Sequence, residues 1–274
     1  MDKSEQFTDK RREQRIAYSC ISLPFLGIRL PDHIQFQFLL VDASANGVQI
    51  AIPDWVIEWD RFVDGEELRL CLPVTSGENT LETCRVRWQK ADQATNEQFV
   101  GLVQIKKSFN EPLFKIDKFG MLELSNPELD TSSLVLRLLK DSAVLKRGVL
   151  IYLEHFLPYF SRIAGDFAHY DEIRSFMLED TLELVKNKIK QLEELHGRFV
   201  EGFADNSLAT TDVDMNSLRD LYRSEVSNAL FKMTFPDQLL LNYIEEIKNL
   251  ELRLFTNYNA LVTLYSMSLE ESLS

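Results

Sequence analysis

The sequence predicts an α+β protein in two parts: an N-terminal six-stranded antiparallel β-barrel, then a C-terminal all-α helical bundle. Three observations predict it. Between Ile16 and Ile105, short segments alternate apolar and polar residues at the period of a strand and are separated by turn residues. Near residue 108 that alternation stops, and Pro112 and Asn126-Pro127 punctuate the chain. From Thr131 onward the apolar period is that of a helix. The expected organisation is a flexible N-terminus over 1–9, a barrel domain over 10–110, a linker over 111–130 and a helical domain over 131–274.

The first strand is expected within Ile16–Leu30, bent where Pro24 and Gly27 fall. Ile34-Gln35-Phe36-Gln37-Phe38 alternates strictly and runs through Leu39-Leu40-Val41 into Asp42, so one face should be buried and the far end more enclosed. Asn46-Gly47 is a turn signal, since both residues tolerate positive φ. Val48 to Ile52 then resumes the alternation and closes a hairpin. Trp55 to Trp59 reads as a short helix or loop plugging the barrel. Asp64-Gly65 marks a turn before Glu67–Leu72, and Leu81–Trp88 and Phe99–Ile105 bring the count to six, enough for a closed barrel without exposed edges. Trp88 and Gly101 are read as barrel packing and a close strand approach, and Arg85 and Arg87 as outward, solvated side chains.

In the second half, Ser132 or Asp130 is placed to cap a helix through Leu134–Leu139, and a second helical segment runs from Val144 to Ala164 with a kink at Pro158. From Tyr170 to Phe203, Leu178, Leu182, Val185, Ile189, Leu192, His196 and Phe199 recur at alternating steps of four and three, with Leu184 and Leu195 broadening the stripe. A stripe this wide suits a bundle of several helices. After a polar loop over 202–212, two more amphipathic helices are expected, over Met215–Met233 and Pro236–Ser266.

Composition narrows the function classes. With 45% hydrophobic and 27% charged residues the chain is globular in character. A net charge of −13 argues against a general nucleic-acid binder, which accumulates cations to displace counterions from phosphates. Cys20, Cys71 and Cys84 stand apart from one another in apolar surroundings, which suits reduced, buried thiols in a cytoplasmic protein. No signal-peptide pattern opens the sequence, and the most apolar stretch, Leu134 to Phe160, is broken by charges, so no membrane span is expected.

Two short segments carry chemistry. Arg11 and Arg15 offer guanidinium forks that can grip a phosphate, lie on a base, or address the O6/N7 edge of guanine. Asp42 can accept from the N1–H and N2–H₂ donors of guanine, Ser44 adds a hydroxyl, and Gly47 ends the turn. Arg11-x-x-x-Arg15 followed by Asp42-x-Ser44-x-x-Gly47 resembles the fingerprint of the PilZ domain family in both order and spacing. The resemblance covers about residues 10–110. It implies a small barrel that binds cyclic di-GMP, a bacterial second messenger. Arg11 and Arg15 would grip phosphate and guanine, with help from Arg12, while Asp42 and Ser44 read the guanine edge and Gly47 lets the turn approach.

No catalytic or metal-binding constellation accompanies these residues. His155, His169 and His196 lack metal-ligand spacing, and neither a Walker loop, a Gly-x-Gly-x-x-Gly nor a Gly-x-Ser-x-Gly occurs. The expectation is a receptor that is not an enzyme, with no cofactor beyond its ligand cyclic di-GMP. Its helical half would meet a protein partner or a second copy, with an output in motility, biofilm or related behaviour. The competing expectation is a structural or adaptor protein whose barrel has the fold without the nucleotide.

Overall fold

The structure is a computed structural model. It describes residues 15–18, 21, 23–30, 33–44, 46–53, 62–72, 81–92, 97–105, 113–116, 121–159, 175–204, 213–227, 231 and 238–273. Arg11, Arg12, Cys20, the flexible segment expected over 1–9 and the plug expected at Trp55–Trp59 lie outside the described residues.

The barrel strands are β1 (Ile16–Ala17), β2 (Phe25–Arg29), β3 (Gln35–Ala43), β4 (Gly47–Ile52), β5 (Glu67–Cys71), β6 (Leu81–Asp92) and β7 (Glu97–Gln104). Around the sheet the order is β3-β2-β5-β6-β7-β4, and pairing of β4 with β3 closes six antiparallel strands into a barrel. The short β1 pairs with the far end of β3, at Ala43 and Asp42, while β2 pairs with its near end, at Gln35 to Phe38. The expected first strand is therefore two pieces laid end to end along one edge of β3, interrupted around Pro24, whose ring has no N–H for a ladder. Inside, Phe25, Phe36, Phe38 and Phe62 form a cluster with ring centroids 5.1–5.7 Å apart, edge-to-face at Phe25–Phe38 and Phe36–Phe62 and tilted at Phe36–Phe38.

A two-stranded sheet of β8 (Phe114–Ile116) and β9 (Leu122–Leu124) occupies the segment read as a linker. Helix α1 (Thr131–Glu154) joins the two short helical segments expected from the sequence into one. Asp130 is its N-cap, accepting from the Ser133 amide at 2.7 Å. The helix stops at Glu154, four residues before Pro158, because a proline ring collides with the carbonyl at that spacing. A π-helical turn (Ser175–Glu179) leads into α2 (Asp180–Ala204), and the buried stripe starts at Leu178 in the turn and runs along α2 through Leu182, Val185, Ile189, Leu192, Leu195 and Phe199. His196 is only half-buried, and Leu195 takes its place in the stripe.

Helix α3 is Met215–Tyr222, shorter than the periodicity suggests, because the chain turns out at Arg223 into an extended segment. The backbone carbonyls of that segment are taken by lysines: Lys146 Nζ donates to Arg223 O at 3.1 Å and Lys248 Nζ to Val226 O at 2.6 Å. Helix α4 (Gln238–Leu273) is the longest element. Between Leu252 and Leu264 it is buried nearly all round, the signature of a helix with neighbours on every side.

One of those neighbours is the barrel. Phe25, Leu26 and Ile28 of β2 belong to the same apolar core as Leu252, Phe255 and Leu261 of α4. Register places Leu26 and Ile28 opposite Gln37 and Gln35, on the outer side of the barrel wall, yet both are buried. Strand β2 is thus covered on both faces, which is why it reads as a continuous apolar run. Among the described residues, the helices cover the outer side of β2 and β5, and the site lies on the outer side of β4, β6 and β7.

Candidate functional site

Arg15, just before β1, donates from Nη1 to Asp42 Oδ1 at 2.6 Å. The two motif halves, 27 residues apart in sequence, meet at the end of β3. The meeting depends on a local irregularity. Leu40 pairs with Ile50 but Asp42 pairs with Gln49, so Val41 is an extra residue in β3. Without this bulge Asp42 would continue the inward series Phe36, Phe38, Leu40 and sit in the barrel. The one-residue slip turns its carboxylate outward beside Gln49.

The β3–β4 turn is closed by the Ser44 amide donating to Gly47 O at 2.8 Å, and the Ser44 hydroxyl lies 3.4 Å from the same carbonyl. Neither Asn46 nor Gly47 adopts positive φ, which corrects the reason given for them from the sequence: among the described residues only His33 and Gly65 do. Gly47 is needed for closeness instead. A Cβ there would stand 2.8 Å from the backbone oxygen of Leu102 on β7.

Register then extends the site across the outer wall. Ala17, Asp42, Gln49, Gly101 and Trp88 form one transverse row over β1, β3, β4, β7 and β6. A second bulge, at Arg87, sets Trp88 opposite Gly101. The indole lies on the bare backbone of Gly101, where a Cβ would be 2.0 Å from Nε1. Trp88 is 42% exposed, so its barrel packing is on the outer wall, against Gly101, where the expected close approach is present. With strands about 4.8 Å apart, Asp42 and Trp88 are about 14 Å apart along the row. Arg85 and Lys90 flank Trp88 on the same face, and Arg85 is paired with Glu67 at 2.6 Å.

The arrangement joins a carboxylate, a guanidinium, a hydroxyl, an amide and a flat exposed aromatic on one open wall, with further cations at the rim. Such a wall can hydrogen-bond a base edge, stack a ring and neutralise phosphate. Sequence reasoning named Arg15, Asp42, Ser44 and Gly47 here. It missed Gln49 and undervalued Trp88, whose only signal was an aromatic next to Arg87 in a strand otherwise rich in charge.

Strand β3 also reaches the helices from the same outer side. Gln35 Oε1 accepts from the Ser224 amide at 3.1 Å, and Gln37 Oε1 accepts from Arg219 Nη1 at 3.4 Å. Behind them lies a buried charge cluster. Glu225 receives Lys146 Nζ at 2.8 and 2.9 Å and Lys188 Nζ at 2.5 Å. Burial pushes the Glu225 carboxyl up, but Lys146 and Lys188 outweigh it and hold it below the ordinary carboxylate range. Burial in turn lowers Lys188, only partly offset by Glu225. Lys248 Nζ donates to Glu251 at 2.8 Å and to Ser224 Oγ at 3.0 Å. Among the described residues no group of three or more His, Cys, Asp or Glu is placed to hold a metal ion, and no helix is long and apolar enough to cross a membrane.

No family model and no curated protein matches the chain. Among solved structures, the chain is similar to the Bacillus subtilis inhibitor of motility MotI/DgrA, at 17% identity and TM-score 0.26, over 36% of this chain and 44% of that one. It is also similar to the PilZ domain with c-di-GMP of YcgR from Escherichia coli, at 14% identity and TM-score 0.27, over 36% of this chain and 81% of that one. The match therefore spans under half the length of the Bacillus subtilis protein.

Proposed function

We propose that this protein is a receptor for cyclic di-GMP that binds the dinucleotide on the outer wall at the end of β3 and passes the event to its helical half, with an output in motility, biofilm formation or related bacterial behaviour. The observation that carries the reading is the Arg15–Asp42 contact, which joins the two halves of the Arg-x-x-x-Arg and Asp-x-Ser-x-x-Gly pattern. Arg15, with Arg11 and Arg12 from the segment just before it, would hold phosphate and guanine. Asp42 and Ser44 would read the guanine edge, Gly47 would keep the wall close, and Trp88 offers a stacking face. The protein binds and does not turn over its ligand.

Ligand would compete with Asp42 for Arg15, so the ion pair is exchanged for contacts to the dinucleotide. Strand β3 joins that site to Gln35 and Gln37, which hold the Arg219–Ser224 segment. A shift there biases the helical half by the ligand's differential affinity for the two arrangements.

The test is isothermal titration of the full chain with cyclic di-GMP beside GTP and cyclic di-AMP, repeated on Arg15→Ala. Guanine-dinucleotide binding at micromolar or tighter that disappears in the variant supports the receptor. Absence of heat and of any thermal shift at saturating ligand overturns it and leaves the barrel as a scaffold for an adaptor.

A further inference from the structure

On the opposite side of the barrel from the proposed nucleotide wall, a pocket of about 70 Å³ lies between β2, β5 and α4. Ile28, Leu30 and Leu252 supply apolar walls, and Arg69, His33, Asn249, Lys248 and Glu245 supply polar ones. Two features mark this pocket. Arg69 Nε is buried without a hydrogen-bond partner. Among the described residues the Arg69 guanidinium also has no ion pair, although Arg29 and Arg85 on neighbouring strands are both paired with glutamates. His33, at the pocket edge, has φ +58°, a left-handed conformation that costs a non-glycine residue energy and that recurs where side chains are held for binding.

We propose that this pocket binds a small oxyanion, the carboxylate or phosphate group of a metabolite, on the Arg69 guanidinium. Arg69 is half-buried, its buried Nε is a donor left without an acceptor, and an oxyanion supplies the acceptor that its planar fork is shaped for. Lys248 adds positive potential from the wall while its own Nζ stays held by Glu251, Ser224 and Val226. Glu245 is exposed at the rim, where solvent screens its charge and where it can accept from an amine or hydroxyl of the same ligand. Since the walls come from both barrel and helices, an occupant ties the two halves together. The pocket shares no residue with the nucleotide wall, so the assignment stands whether or not that wall takes cyclic di-GMP.

The experiment is thermal unfolding of the full chain in sodium phosphate and in sodium acetate, each against sodium chloride at matched ionic strength, with titration calorimetry of the same anions. A saturable rise in Tm beyond chloride is expected, and which anion produces it tells a tetrahedral from a planar ligand. In Arg69→Met the anion-dependent rise should vanish and affinity fall about tenfold or more, while Tm without anion stays the same or increases because an orphaned donor is gone. Arg69→Lys keeps the charge and loses the fork, and it should bind more weakly than the parent. Equal responses in chloride and both oxyanions, or unchanged affinity in the Arg69 variants, overturn the assignment.

Discussion

Asn259 of α4 completes the backbone hydrogen bonding of Leu26 in β2. Its Oδ1 accepts from the Leu26 amide at 2.8 Å, and its Nδ2 donates to Leu26 O at 3.0 Å and to Cys71 O at 2.6 Å. The β2–β5 ladder begins at Gly27, so Leu26 and Cys71 lie just where those two strands part. One helical amide fills the gap as a further strand residue would, and does so fully buried. Nearby, burial raises the Cys71 thiol to about 12 despite its hydrogen bond with Thr256, so it stays an inert hydrophobe under α4.

Asn259→Leu should accordingly be far more damaging than its polarity change suggests. Three buried backbone groups lose their partner at about 1–3 kcal/mol each, so a loss of about 3–9 kcal/mol is expected. Urea unfolding measures it, and native-state hydrogen exchange should show the Leu26 amide deprotected. A loss below about 1 kcal/mol would show that the helix does not pin the barrel.

Asp42→Ala should behave in the opposite way. The Arg15–Asp42 pair is partly open to solvent, and such pairs contribute about 0–1 kcal/mol. Stability should therefore change little while cyclic di-GMP binding is lost. A variant that unfolds early, or one that binds as well as the parent, contradicts the placement of Asp42 as a ligand-reading residue on an outward bulge.

Gly47→Ala and Gly101→Ala separate two kinds of close approach. At Gly47 the obstacle is the Leu102 backbone, so β4 and β7 must part, at a cost of about 1–3 kcal/mol. At Gly101 the obstacle is the exposed Trp88 indole, which can swing away. The second variant should lose less stability than the first and show a red-shifted Trp88 emission, checked against Trp88→Phe. Equal losses would mean that the indole is locked.

The Glu225 cluster predicts an acid-sensitive core. Its carboxyl is held below 4.5, so the unfolded chain binds more protons there than the folded one. Its contribution is present above pH 4.5 and is lost as pH falls from about 4.5 through the lower folded value. Glu225→Gln should destabilise the protein by about 3–5 kcal/mol at neutral pH, since two lysines then face an uncharged amide. It should also flatten the stability profile below pH 4.5. Unfolding curves at stepped pH for both proteins decide it.

Several expectations could be read directly from residue order because they rest on local chemistry. Alternation in Ile34–Phe38 and Val48–Ile52 marked strands, Asp130 marked a helix start, and the stripe from Leu178 to Phe199 marked a buried helix face. Other features left little trace. Periodicity carried the helix at Met215 past Tyr222, but Lys146 and Lys248 draw the Arg223–Val226 carbonyls out of helical geometry, and those lysines are far away in sequence. Asn259 did leave a signal, an amide amid Tyr258, Ala260 and Leu261, though nothing local says which backbone it serves.

The sequence by itself determined the start of the helical half at Thr131 and the set of residues, Arg15, Asp42, Ser44 and Gly47, that could address an anionic purine. Backbone period and side-chain chemistry are local properties, so they survive without coordinates. Only the tertiary structure decided which way those residues face. The bulges at Val41 and Arg87 turn Asp42 and Trp88 onto one outer row, and α4 covers the opposite wall through Asn259. Register and burial are set by pairings between distant segments, and a one-residue slip reverses every side chain beyond it.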